Sequence, residues 1–337
     1  MVALALKAAP KGETDADVHA LPFYSPPDGL PELPATSWAT WAAAPPARSP
    51  HMMLLASPPR DGAFALESWL GRLDSTLPWA RKVGGLLAGD GRLFEGSNEH
   101  NGGAVGLAIA GVQMDALCCQ GALPVGPSFE ITSSEANIIR ELDGRDVAEA
   151  VHDILAQFSE PPRAGNQVVM AGISVPTRPA AAVPPPAADD DHASTASAAA
   201  SASSSKYAYV VRSIVGYSRA QSALLVGASP ELLQAPGARL QLHAFSAANA
   251  RSEVQAAAAA LASRQTGGYA GGLMVACVGR GAALYGEEGV ESAELERAIG
   301  KPLALTGFFA GGEIGPVGSR TFVHTYTTTV GLLREQA

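Results

Sequence analysis

The chain has 337 residues, with 32 Asp and Glu against 23 Lys and Arg and a formal net charge of −9. At 47% hydrophobic and 16% charged it is able to bury a sizeable core, which excludes wholesale disorder. Duplex nucleic acid and anionic membranes draw affinity from clustered Lys and Arg; no such cluster exists and only five of the 23 basic residues are Lys, so neither is expected as a partner.

Residues 1–34 carry Pro22, Pro26, Pro27, Pro31 and Pro34 with few clustered apolar residues, which predicts a flexible proline-rich tail. Glu13, Asp15 and Asp17 arrive before any apolar stretch long enough for a leader. MMLLA at 52–56 reads as a strand. Over 63–74, Phe64, Leu66, Trp69, Leu70 and Leu73 recur at the spacing of an amphipathic helix. GGAVGLAIAG at 102–111 reads as a buried strand. Asp143 and Gly144 punctuate the chain ahead of a helix over 145–158. VVMAGISV at 168–175 and YAYVVRSIVGYS at 207–218 read as strands. Between them, 178–205 holds one β-branched aliphatic, Val183, and no Leu, Ile or aromatic, which predicts a disordered insertion that lengthens a hairpin loop. The strand RLQLHAF precedes an Ala-rich helix over 249–264. This alternation predicts a mixed α/β fold, with two β-sheet-containing subdomains and packed helices. No run of about 18 apolar residues predicts a membrane span.

The three cysteines, Cys118, Cys119 and Cys277, are too few for a disulfide framework and lack zinc spacing. A reducing cytoplasmic setting is therefore expected, with no metal and no cofactor. Cys118 and Cys119, adjacent in a strand, face opposite sides and form no common site. GxSxG, P-loop, HExxH and Rossmann patterns are absent. No catalytic residue is assigned, and the chain reads as non-enzymatic, with Cys277 as the one exception.

Candidate chemistry concentrates in 267–330. The strand GLMVACVGRG ends in Cys277, and Gly279 and Gly281 flank Arg280, so the backbone turns sharply and presents N–H groups beside a guanidinium. That arrangement suits a carboxylate or phosphate, or else it is a turn with a solvated Arg. In GFFAGGEIGP, Glu313 projects from a glycine-rich loop, either to meet an ammonium group or to hold the turn. FVHTYTTTV reads as one closing strand, with His324, Tyr326 and Thr328 on one face and Thr325, Thr327 and Thr329 on the other. Cys277 reads as a small buried hydrophobe or, with Arg280 three residues on, as a modifiable thiol of lowered pKa.

MVACVGRGAALYG, PLALTGFFAGGEIGPVG and VHTYTT, in that order, resemble the C-terminal half of the FIST module, named for F-box and intracellular signal transduction proteins. The segment 118–151 resembles the junction between the family's two parts, and MLLASPP with ARKVGGLLAG resembles the second half of its N-terminal part. The resemblance implies a shortened, partial FIST N-terminal domain over 35–132 and a FIST C-terminal domain over 133–335, interrupted by 178–205. It further implies an intracellular sensory module that binds a small ligand such as an amino acid. The alternative is an F-box-associated interaction module that recruits proteins for ubiquitin-dependent degradation. Residue chemistry then assigns a ligand set: Arg280, with Gly279 and Gly281, for a carboxylate; Glu313 for an ammonium; the Tyr326 or Thr327 hydroxyl for orientation; Phe308 or Phe309 as a wall. This assignment requires Arg280 and Glu313 to lie within about 8 Å of each other and to face one enclosed hollow.

Overall fold

The structure is a computed structural model that describes residues 18–27, 29, 49–58, 66–88, 91–156, 168–176, 207–264 and 268–335. The insertion expected at 178–205 and most of the expected tail lie outside these residues.

The first part of the chain forms β1 (His19–Ser25), β2 (His51–Ala56), α1 (Leu66–Thr76), β3 (Lys82–Leu86), the short pair β4 (Leu93–Glu95) and β5 (Asn98–His100), β6 (Ala104–Ala110) and β7 (Val112–Cys119). Leu66, Trp69, Leu70 and Leu73 of α1 are buried, as their spacing requires. Residues 19–25 depart from the tail expected there. They pair antiparallel with the whole of β6, from His19 opposite Ala110 to Ser25 opposite Ala104. Phe23 is buried in the core, Trp69 Nε1 donates to Ser25 Oγ at 2.8 Å, and Pro22 is tolerated because β1 is an edge strand.

The middle comprises β8 (Ala122–Glu135), β9 (Ile138–Leu142), β10 (Arg145–Asp146), α2 (Val147–Ala156), β11 (Val168–Pro176), β12 (Tyr207–Ser218), β13 (Ala223–Val226), α3 (Pro230–Leu233), β14 (Arg239–Phe245) and α4 (Ala247–Arg264). The last part adds β15 (Tyr269–Cys277), α5 (Ala282–Tyr285), α6 (Val290–Ile299), β16 (Leu305–Ala310), β17 (Glu313–Val317), β18 (Arg320–His324) and β19 (Thr328–Glu335). β11 and β12 pair antiparallel, so the segment between them joins neighbouring strands.

Among the described residues three larger sheets form, in the orders β1-β6-β2-β3-β17-β18, β10-β9-β13-β12-β11-β14-β8 and β16-β15-β19-β7, beside the two-stranded β4–β5 ribbon. They do not follow a linear division of the chain at residue 132. β7 lies along β19, from Val112 opposite Glu335 to Thr328 opposite Cys119. In return the β17–β18 hairpin extends the first sheet through β3. Each half therefore completes a sheet begun by the other. Buried side chains from Met53, Val83, Ile109, Met114, Val275 and Leu333 cement the six- and four-stranded sheets together. Gly84 allows the closest approach in this region: a Cβ there would lie 2.0 Å from the Leu54 carbonyl oxygen of β2.

The closing strand expected over 322–330 is two strands in two sheets. β18 stops at His324, β19 starts at Thr328, and Tyr326 between them has φ 58°. A left-handed residue reverses the local backbone course, and this bend hands the chain from the six-stranded to the four-stranded sheet.

Candidate functional site

β15 and β16 run parallel, with Gly272–Cys277 opposite Leu305–Ala310, so the chain leaves both strands at one edge. β19, antiparallel to β15, starts at that same edge. Cys277 N–H donates to the Thr327 carbonyl (3.0 Å), Val278 N–H to that of Ala310 (3.0 Å) and Arg280 N–H to that of Cys277 (2.8 Å). Thr327 N–H donates to Glu313 Oε2 at 3.1 Å. Two distant glycine-built turns and the Tyr326 bend thus meet at one corner.

Arg280 is enclosed in that corner and each of its three guanidinium nitrogens is already engaged. Nε donates to the Tyr326 carbonyl at 2.7 Å, Nη2 donates to the Cys119 carbonyl at 2.9 Å, and Nη1 pairs with Glu291. Glu291 also accepts from the Tyr285 hydroxyl at 2.8 Å and from Thr328 Oγ1 at 2.7 Å. An incoming carboxylate would have to strip the guanidinium from a buried anion and two backbone carbonyls. The ligand role expected for Arg280 therefore gives way to a positioning role that clamps β7, α6 and the Tyr326 bend. Glu291 went unmarked in the sequence because it sits in an acidic helix with no motif around it.

Glu313 opens β17 opposite His324 and is fully buried, where a projecting loop carboxylate was expected. Oε2 takes the Thr327 N–H, while Oε1 has no hydrogen-bond partner among the described residues. Beside the carboxyl lies the Cys277 thiol, a weak donor. Burial pushes the Glu313 carboxyl up to about 8, against the opposing pulls of the Thr327 N–H and the Arg280 charge. Cys277 keeps 8% of its surface. Burial raises its thiol above the ordinary value; the backbone at Gly279 draws it down and the Glu313 charge adds to the rise. This is opposite to the lowering expected from Arg280, whose charge is committed to Glu291.

The rim is apolar. Phe309 is 56% and Tyr326 40% exposed, with Val278 exposed beside them. The Tyr326 ring leans on Phe245 at 5.3 Å between centroids. A Cβ on Gly279 would stand 3.6 Å from the Tyr326 ring and 3.9 Å from Cys277 Sγ, so glycine leaves the way between ring and sulfur unobstructed. Gly281 has φ 62°, and a Cβ there would meet the Phe309 ring at 2.7 Å. Two expected members drop out. Thr327 is buried with its hydroxyl given to the Thr325 carbonyl at 3.0 Å. Phe308, on the opposite face of β16 from Phe309, helps line an apolar cavity of about 230 Å³ with Phe23, Met53 and Leu107. Of two cavities of about 230 Å³ among the described residues, one lined by Phe308 and the other by Arg212, neither has Arg280 or Glu313 in its wall.

Comparison with known proteins places the chain among the sensory domains of signal transduction. Residues 5–145 match the family model of the FIST N domain and residues 182–316 that of the FIST C domain. The chain belongs to the FIST family. Among curated proteins it is similar to the "Uncharacterized protein Mb0898c" of Mycobacterium bovis, at 26% identity over 292 residues, covering 85% of this chain and 68% of the relative. It is also similar to the "Uncharacterized protein Rv0628c" of Mycobacterium tuberculosis, at 25% over 287 residues, covering 84% and 67%. Among the described residues, no helix is long and apolar enough to cross a membrane.

Proposed function

We propose that the chain is a non-catalytic cytoplasmic sensor that takes a small amine-bearing ligand, amino-acid-like in its head group, at the Cys277–Glu313 corner. The observation that carries this reading is the Glu313 carboxyl: fully buried, held through one oxygen by the Thr327 N–H, and unpartnered at the other among the described residues. Such a carboxyl keeps its proton for want of a cation. An ammonium group arriving beside it supplies one, so binding ionises Glu313 and expels the proton. Phe309, Tyr326 and Val278 offer apolar walls and ring faces to the rest of the ligand. Ionisation also strengthens the bond to Thr327 N–H, which lies at the start of β19, and so transmits occupancy to the bend between two sheets. A protonated, largely buried Cys277 thiol is a poor nucleophile, in keeping with a binding rather than a catalytic role. A small-molecule partner agrees with the sensory character of the family, whereas the ubiquitin-linked alternative gains nothing from the comparisons.

Calorimetric titration with primary amines and zwitterionic amino acids, at pH 7 in two buffers of different ionisation enthalpy, tests the proposal. Wild type releases up to one proton per ligand bound; Glu313→Gln abolishes the release and weakens binding at least tenfold. Failure of every amine to bind, or an equal proton count in the variant, overturns it.

A further inference from the structure

A second cation, never singled out by sequence motif, is also buried but borders a cavity. Arg212 lies on β12 in a cavity of about 230 Å³ walled by Glu67 of α1, Ser213, Gly227, Val323 and Thr325. Its side chain is 6% exposed, against 37% for its ion-pair partner Glu67 at 2.9 Å. A guanidinium carries five N–H donors. Among the described residues Arg212 commits only two, to Glu67 Oε1 and, at 3.3 Å, to the Val211 carbonyl. It also lies 5.8 Å from the centroid of the Phe322 ring, over which Arg320 sits at 5.2 Å, so two guanidinium groups share this neighbourhood. The Ser213 and Thr325 hydroxyls have no side-chain hydrogen bond to another described residue.

Buried guanidinium groups are stable only when anions and acceptors meet their donors. Here the sole acidic wall residue is a long, half-exposed side chain in the first turn of a helix. That helix is anchored independently of it. Leu66, Trp69, Leu70 and Leu73 are buried, and Asp74 accepts from Thr321 N–H at 2.7 Å, from Thr321 Oγ1 at 2.8 Å and from Lys82 at 2.9 Å. Glu67 is therefore free to swing out without unseating α1. The cavity has room for several water-sized groups.

We infer that this cavity binds a small oxyanion, a carboxylate or phosphate group, which takes the Arg212 fork in place of Glu67 and receives the Ser213 and Thr325 hydroxyls. Glu67 is then the internal stand-in that holds the site when it is empty, and its release connects occupancy to α1 of the first sheet's layer. The inference stands apart from the amine site at Glu313 and survives or fails without it.

The test titrates inorganic phosphate and, separately, acetate into the full chain, following the Arg212 Nε–Hε resonance of arginine-labelled protein, with sodium chloride of equal ionic strength as control. Glu67→Gln removes the competitor while keeping its shape and tightens binding at least tenfold over wild type. Arg212→Lys keeps the charge and loses the fork, and abolishes the phosphate- or acetate-dependent rise in melting temperature. Should that variant fail to fold, Ser213→Ala combined with Thr325→Val takes its place, with an expected weakening of threefold or more. A response to phosphate, to acetate or to both supports the site and names the group it prefers. No response to either in Glu67→Gln, or affinity in that variant no higher than wild type, overturns the inference.

Discussion

Replacing Glu313 by Gln keeps the side-chain volume and an oxygen for the Thr327 N–H while removing the one proton whose affinity burial has shifted furthest into the neutral range. The carboxyl is pushed from 4.5 up to about 8 in the folded chain. Between those values the folded chain holds a proton that the unfolded chain has released. Unfolding free energy must therefore fall as pH rises, by at most about 1.4 kcal/mol per pH unit. Summed over the interval, wild type loses roughly 4–5 kcal/mol relative to the variant. His324, its neighbour across the β17–β18 hairpin, works in the other direction. Burial first, and the Arg212 charge second, push its imidazole from 6.5 down to about 3. The folded chain then refuses a proton that the unfolded chain accepts, and stability declines as pH drops from 6.5 toward 3. The Glu313 and His324 slopes offset each other between 4.5 and 6.5, and above 6.5 the Glu313 slope stands without that offset, so wild type weakens there while Glu313→Gln retains its stability to pH 8. Urea unfolding followed by tryptophan fluorescence at pH 5, 6, 7 and 8 reads the difference. Parallel curves for wild type and variant across that range would refute the reasoning.

Arg280→Leu leaves Glu291 buried beside Tyr285 and Thr328 without its cation, and costs about 3–5 kcal/mol in urea unfolding; adding Glu291→Gln recovers a substantial part of the loss. Gly84→Ala forces a methyl to within 2.0 Å of the Leu54 carbonyl and breaks the β2–β3 pairing, whereas Gly71→Ala in α1, with nothing within 4 Å, stabilises by about 0.5–1 kcal/mol; melting temperatures should move in opposite directions. Trp69→Phe deletes the donor to Ser25 and costs about 1 kcal/mol, with faster amide exchange confined first to residues 19–25. Cys277 alkylates more slowly than a free thiol at pH 7.5, and Glu313→Gln speeds it, as read by mass spectrometry with iodoacetamide.

Local periodicity carried the helices well. The Leu66, Trp69, Leu70 and Leu73 stripe needs only its own spacing to declare which face is inward, whereas the Ala-rich segment of α4 announces a helix without marking its inner face. The glycine turns around Arg280 and before Glu313 were equally readable, because a sharp turn is a property of a few consecutive residues. β1 was hidden because a proline-containing stretch reads as extended tail until β6 offers seven residues of pairing. The bend at Tyr326 was hidden because β-branched and aromatic residues run through 322–330 without a turn signal, and pattern alone does not reveal that its two halves belong to different sheets. Arg280 and Arg212 show the same limit for charge. One looked available and is consumed by Glu291; the other drew no notice and keeps most of its donors uncommitted among the described residues.

By itself, the amino-acid order determined the family, the mixed α/β class and the residues gathered at the end of β15. Tertiary structure alone decided which of those groups has spare hydrogen-bonding capacity. Burial and pairing are set by partners far away in the chain: Glu313 by Thr327 and Cys277, Arg280 by Cys119 and Glu291, and Arg212 by Glu67. A side chain's type states what it is able to bind, while the free energy of doing so depends on what already surrounds it.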